Sequence, residues 1–174
     1  MSEFNVSVLN RFGERELRGL AEVLIDCVEG GDSVSFMLPM TRAKADAFWR
    51  NSFASAQRGE RQIVIAEDEH GEIVGTVSVV WAQPENQPHR ADVAKMLVHR
   101  RARRRGIGAM LLSAAERVAR EAGKTVLVLD TSSKDAERLY ERGAWQRCGV
   151  IPNYALMPDG PYCDTIVFYK LLAG

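Results

Sequence analysis

The sequence predicts an α/β fold. Three observations carry that prediction. Val93–Val98 alternates as a half-buried strand and passes through an arginine- and glycine-rich turn into an amphipathic helix that ends at Gly123. Strand-like and helix-like periodicities interleave along the chain in the order β-α-α-β-β-β-α-β-α-β-β. Of 174 residues, 46% are apolar, enough for a sizeable core in one domain over 1–174.

Phe4–Asn10 alternates and reads as the opening strand. Glu14–Val28 is helical, with Leu17, Leu20, Ala21, Leu24 and Val28 on one face and Gly30-Gly31 as its stop. The segment Gly30–Met37 is apolar and glycine-rich for a plain connection; it reads equally as a pocket wall or as a buried crossover. Thr41 caps a second helix running to about Arg58, with Phe48, Trp49 and Phe53 as packing residues. Arg61–Glu67 and Glu72–Trp81 are strands, and the turn Glu67–Gly71 between them makes them antiparallel.

Pro84–Pro88 leads to the central strand, which starts at about Arg90 and carries Asp92, Ala94, Met96 and Val98 on one face. In the helix after it, Ile107, Met110, Leu111, Ala114, Val118 and Ala122 share a face, with Glu116/Arg120 and Arg117/Glu121 paired on the other. Thr125–Asp130 reads as a strand covered on both sides. Ser132 or Ser133 caps a short helix, Asp135–Arg142, that stops at Gly143. Ala144–Gly149 is a strand, Ile151–Pro161 a proline-rich loop, and Thr165–Leu171 the last strand.

Charge balances at 23 Lys+Arg against 23 Asp+Glu. A nucleic-acid protein would carry a basic excess, so Arg100–Arg105 reads as a local site and no nucleic-acid partner is expected. Met1–Asn5 lacks the basic start and apolar run of a secretory leader, and no stretch is long enough to span a membrane. Cys27, Cys148 and Cys163 are scattered, without metal spacing, as small apolar residues of a reduced cytoplasm would be. A cytoplasmic location, no metal, and a monomer or homodimer are the expectations.

The central unit points at a polyphosphate. The first turn of a helix leaves N–H groups without partners, and its dipole favours negative charge there. Gly106 and Gly108 let the chain approach a diphosphate closely, and Arg103, Arg104 and Arg105 add forked donors. There is no Gly-x-x-x-x-Gly-Lys-Ser/Thr, and no full Gly-x-Gly-x-x-Gly with a distal acid.

The stretch Arg103-Arg-Arg-Gly106-Ile-Gly108 resembles the Arg/Gln-x-x-Gly-x-Gly/Ala motif of the GNAT superfamily of N-acetyltransferases. Ala136-Glu-Arg-Leu-Tyr140-Glu-Arg-Gly143-Ala-Trp145 resembles its second motif, and the order of elements fits over nearly the whole chain. Several segments are similar to the tabtoxin-resistance branch: Gly30–Met37, Asn86–Asp92, Leu129–Thr131, Gly149–Tyr154 and Pro158–Gly160. The resemblance implies the GNAT acyltransferase fold, a central mixed and mostly antiparallel sheet flanked by helices, and acetyl-CoA as cosubstrate. It implies that the turn from Arg103 through Ile107 and Gly108 to Ala109 holds the pyrophosphate, and that Met96, Leu97 and Val98 pair with the pantetheine through their backbone. Ser133 joins this cofactor-binding set.

Acetyl transfer to an amine needs a base, a donor for the oxyanion and an acid for the leaving thiolate. The motif match puts Tyr140 near the thioester sulphur as the acid; the plain alternative is a tyrosine packing on the cofactor. Asp92 and Asp130 are candidates for the base and for holding a cationic amine, against a plain role in strand-end salt bridging. The tabtoxin-resistance branch carries acids at both matching positions. The oxyanion donor is the N–H of Leu97 or a neighbour. His70 reads as solvated, His89 as a possible pocket residue and His99 as surface.

The expected activity is direct transfer, in a ternary complex, from acetyl-CoA to a small amine such as an amino-acid-like toxin or antibiotic. Acetylation of a protein or peptide, and coenzyme A sensing without turnover, are the alternatives.

Overall fold

A computed structural model describes residues 3–81 and 83–173. Met1 and Ser2, part of the segment read as lacking a leader, lie outside the described residues. The chain runs β1 (Asn5–Val8), α1 (Glu14–Glu29), α2 (Arg42–Gln57), β2 (Arg61–Glu67), β3 (Ile73–Val80) and β4 (Arg90–Val98). After a 3-10 turn at Arg100–Ala102 come α3 (Ile107–Glu121), β5 (Val126–Thr131), α4 (Lys134–Arg142), β6 (Gln146–Leu156) and β7 (Tyr162–Leu171). The strands form one seven-stranded sheet in the order β1-β2-β3-β4-β5-β7-β6. Every neighbouring pair is antiparallel except β4–β5, which is parallel.

Helix starts follow the local chemistry. Thr41 Oγ1 accepts from the Lys44 N–H at 3.2 Å, and Ser133 Oγ accepts from the Ala136 N–H at 3.3 Å. At α1 the Gly13 N–H donates to Glu16 Oε2 at 2.9 Å, which satisfies one orphan donor from the side chain of the first turn.

The sheet buries both faces. On one, α3 contributes Ile107, Leu111 and Val118 to a cluster with Val64, Val77, Val93, Leu127, Tyr140 and Phe168. On the other, Leu17, Leu20 and Leu24 of α1 and Trp49 of α2 pack on Ile63, Ile65, Ile73 and Leu97. This two-sided burial explains the near-continuous apolar runs in β2, β3 and β5.

Three expectations change. The segment expected to be a strand to Gly149 and then a loop is one long strand, Gln146–Leu156. Pro152 is tolerated there because β6 is the sheet's edge, where a missing N–H costs no ladder bond, and the register slips between Ile151 and Ala155 around Asn153 at φ 51°. Glu116 is not on an outer face; it is buried, receives Lys170 Nζ at 2.9 Å and the Trp145 indole N–H at 3.1 Å, and keeps Arg120 at 3.6 Å. His99 is not plain surface: its Nδ1 accepts from the Arg101 N–H at 3.2 Å, capping the 3-10 turn.

Candidate active site

β4 and β5 are paired only over Arg90↔Val126, Ala91↔Leu127 and Asp92↔Val128. Beyond that point both strands continue and their pairing stops. A bulge opens the gap: Ala94 faces Ser78 and Leu97 faces Thr76, so Lys95 and Met96 stand against Val77 alone, with Lys95 at φ 52°. The cleft that results has a volume of about 1070 Å³.

The bulge also sets which backbone groups face the gap. The His99 N–H donates to Val74 O at 2.9 Å, which makes Val98–Gly75 a pair without direct bonds between them. Leu97 therefore turns its N–H and C=O toward β3. The N–H of Val98 turns to the opposite side, where β5 has left. Val98 O accepts from Arg103 Nε at 2.9 Å.

At the cleft mouth, Gly106 caps α3 in the left-handed region at φ 82°, preceded by Arg104 at φ 62°. The first intrahelical bond runs from the Met110 N–H to Gly106 O at 3.1 Å, so the N–H groups of Ile107, Gly108 and Ala109 precede the ladder and open onto the cleft. A Cβ at Gly108 would meet Leu139 Cδ2 at 3.1 Å, so α4 packs tightly against the turn and the Leu139 side chain would have to give way to a larger residue there. A donor-lined turn beside an unpaired strand edge fits an elongated ligand with a diphosphate at one end.

The three arginines divide. Arg104 lines the cleft, and among the described residues no carboxylate pairs with it. Arg103 also lines it, but its guanidinium holds Asp32 Oδ2 at 2.6 Å as well as Val98 O. Arg105 turns away, ion-paired to Glu3 and stacked 4.6 Å from the Phe4 ring centroid.

Tyr140 and Asp130 both line the cleft, Tyr140 buried and Asp130 exposed. Tyr140 is 4% exposed, with ring centroids 5.6 Å from Phe168 and 6.0 Å from Trp145. Burial pushes its phenol well above the ordinary tyrosine value, and the Asp130 charge adds to the shift. Asp130 stands at the end of β5, where Thr165 Oγ1 donates to its Oδ2 at 2.7 Å.

Asp92 is not brought to them. Because of the bulge, Ala91 and Val93 before it pack on the same cluster as Met96 and Val98 after it. Asp92 therefore lies across the sheet from Met96 and Val98 instead of on their face. Its carboxylate accepts from Arg90 and, at 2.9 Å, from Gln83 Nε2, outside the cleft wall. Leu97 likewise sends its side chain to the second cluster. Met96, Val98, Arg103, Arg104, Gly106, Ile107, Gly108, Ala109 and Ser133 do line the cleft. His89 does not.

Sequence reasoning missed Lys95 and Thr165, which also line it; nothing in the local pattern distinguishes either from an ordinary strand residue. The glycine-rich segment is a wall: residues 31–37 line the cleft and reach the β6–β7 hairpin. The Leu38 N–H donates to Pro158 O at 2.9 Å, and Ser33 Oγ to Leu156 O at 3.2 Å. From the hairpin, Tyr154, Leu156, Met157 and Cys163 complete that side. Among the described residues no helix is long and apolar enough to cross a membrane.

Comparison with known proteins bears on this arrangement. A protein assigned as a phosphinothricin N-acetyltransferase superposes with a TM-score of 0.80 at 20% identity, over 98% of this chain and 99% of that one. The ribosomal-protein-alanine N-acetyltransferase of Brucella melitensis gives 0.78 at 23% identity, over 97% and 99%. The yncA protein of Salmonella typhimurium, solved with its cofactor acetyl-CoA, gives 0.76 at 20%, over 98% and 95%. At these identities the likeness is one of fold. A sequence model of the acetyltransferase (GNAT) family matches residues 33–144, a span that takes in the bulged strand, the glycine turn and Tyr140. The chain therefore belongs to the GNAT family of acetyltransferases.

Proposed function

We propose that the protein transfers the acetyl group of acetyl-CoA directly to the amine of a small molecule, within a ternary complex. The observation that carries this reading is the roofed gap between β4 and β5, with a donor-rich turn at its mouth and both Tyr140 and Asp130 on its wall. Acetyl-CoA, when bound, supplies the acyl group as a thioester. The Met96 N–H, at the bulge beside the gap, is the donor for the carbonyl oxygen as charge develops on it. Tyr140 holds a proton at neutral pH and delivers it to the leaving sulphur. Asp130 holds the ammonium of the acceptor and takes its proton, directly or through a water. Asp92, bound to Arg90 and Gln83, fixes the start of the strand instead.

The roof from residues 31–37 to the β6–β7 hairpin favours a small acceptor over a peptide, which needs an open groove. An amino-acid-like toxin or antibiotic suits the size of the site, in keeping with the tabtoxin-resistance resemblance and the phosphinothricin N-acetyltransferase among the fold neighbours. The test is free-thiol release from acetyl-CoA against small amines, among them a tabtoxinine-type lactam and phosphinothricin, with basic peptides in parallel. Turnover with a small amine and none with peptides supports the proposal. Tight coenzyme A binding with no acceptor turned over points to a sensing role instead.

A further inference from the structure

The acceptor side of the cleft holds a cation that this chemistry does not use. Lys95 stands at the bulge, in a left-handed conformation that costs a non-glycine residue strain. Its Nζ donates to Ser35 Oγ at 3.0 Å and lies 5.7 Å from the Phe48 ring centroid. Both neighbours are neutral. Among the described residues no carboxylate forms an ion pair with it, although Asp130 acts on it electrostatically across the cleft. Burial pulls the ammonium below the ordinary lysine value, Asp130 opposes that shift, and Arg61 adds to it.

A partly buried ammonium that no carboxylate contacts directly gains from a ligand that brings an anionic group to it. The coenzyme's phosphates are not that ligand. Their turn lies beyond Val98, about 10 Å of strand from Lys95, and has Arg104 and the helix N-terminus to meet them. What reaches Lys95 is the acceptor. With Asp130 claiming the amine, cation and anion face the same pocket from opposite strands.

We propose that Lys95 is a specificity-determining residue that reads an anionic oxygen-acid group on the acceptor, so that the substrate is a zwitterion of the amino-acid type. This rests on the acetyl-transfer reading above and narrows it to one substrate class. A charge-assisted hydrogen bond in a partly desolvated site corresponds to roughly tenfold to a hundredfold in specificity.

The experiment compares kcat/KM for α-amino acids, their carboxamides and their decarboxylated amines, in the wild type, Lys95→Gln and Lys95→Arg, with coenzyme A affinity measured for each. The wild type is expected to prefer the carboxylated acceptor at least tenfold. Lys95→Gln removes that preference through KM while coenzyme A affinity is kept, and Lys95→Arg retains part of it. A wild type that turns over amines without regard to the carboxylate overturns the inference and leaves acetyl transfer standing. So does a preference that survives in Lys95→Gln. Failure of every amine, with coenzyme A bound, overturns both.

Discussion

Tyr140 is held between Phe168 and Trp145, and its burial, with the Asp130 charge, keeps the phenol protonated well past neutrality. Tyr140→Phe removes the proton donor but little volume, so kcat is expected to fall on the order of a hundredfold with coenzyme A affinity unchanged. An unchanged kcat would reduce the residue to packing. The raised value has a consequence for stability as well. The unfolded chain ionises near pH 10 while the native phenol does not, so the native state binds more protons there and stability falls as pH rises above that point. The urea midpoint of the wild type should therefore drop more steeply above about pH 10 than that of Tyr140→Phe. Both Tyr140 and Asp130 were legible in the sequence, one through its motif and one through its place at a strand end. Lys95 was not, because a left-handed non-glycine residue leaves no mark on the local pattern.

At the scale of elements, strand and helix bounds followed from periodicity and caps, and the failures trace to interruptions that periodicity cannot express. One bulged residue in β4 moves Asp92 to the opposite face from Met96. An edge position lets β6 run through Pro152. Glu116 keeps the Arg120 pairing that the spacing predicts, but its burial was not legible, because β7 brings Lys170 to it. Lys170 Nζ donates to both Glu116 oxygens at 2.9 Å and to Gly143 O at 2.7 Å, with side chains 19% and 11% exposed. This cluster ties α3 to β7 and to the end of α4, directly behind the wall that carries Tyr140. Lys170→Met strands a buried carboxylate and should cost about 3 kcal/mol in urea unfolding. The double variant Lys170→Met/Glu116→Gln should lose less than the sum of the single changes. A single-variant loss under about 1 kcal/mol would mean that the pair behaves as a solvated one.

For the whole molecule, two cores grip opposite faces of a sheet whose centre is left unpaired from Val93 to Val98 on one side. The fold thus contains an edge in its middle, and a ligand that lies along it supplies what β5 withholds. Coenzyme A binds only the folded chain, so at a hundred times its Kd it should add about 2.7 kcal/mol. For a chain of this length that corresponds to a melting temperature raised by about 5–10 °C. The arginines make the prediction specific. Arg104, on the cleft wall with no carboxylate paired to it among the described residues, should matter, and Arg104→Ala is expected to shrink the shift at fixed ligand concentration. Arg105 is engaged by Glu3 and Phe4, so Arg105→Ala should alter the stability of the free protein and leave the ligand-induced shift intact. The run of three arginines looks uniform in the sequence, and nothing local distinguishes its members. Their division depends on Glu3 and Phe4, just before β1, reaching one of them and Asp32 another, contacts made across 70 residues or more. Equal loss of the shift from both variants would mean that Arg105 leaves Glu3 when the ligand arrives.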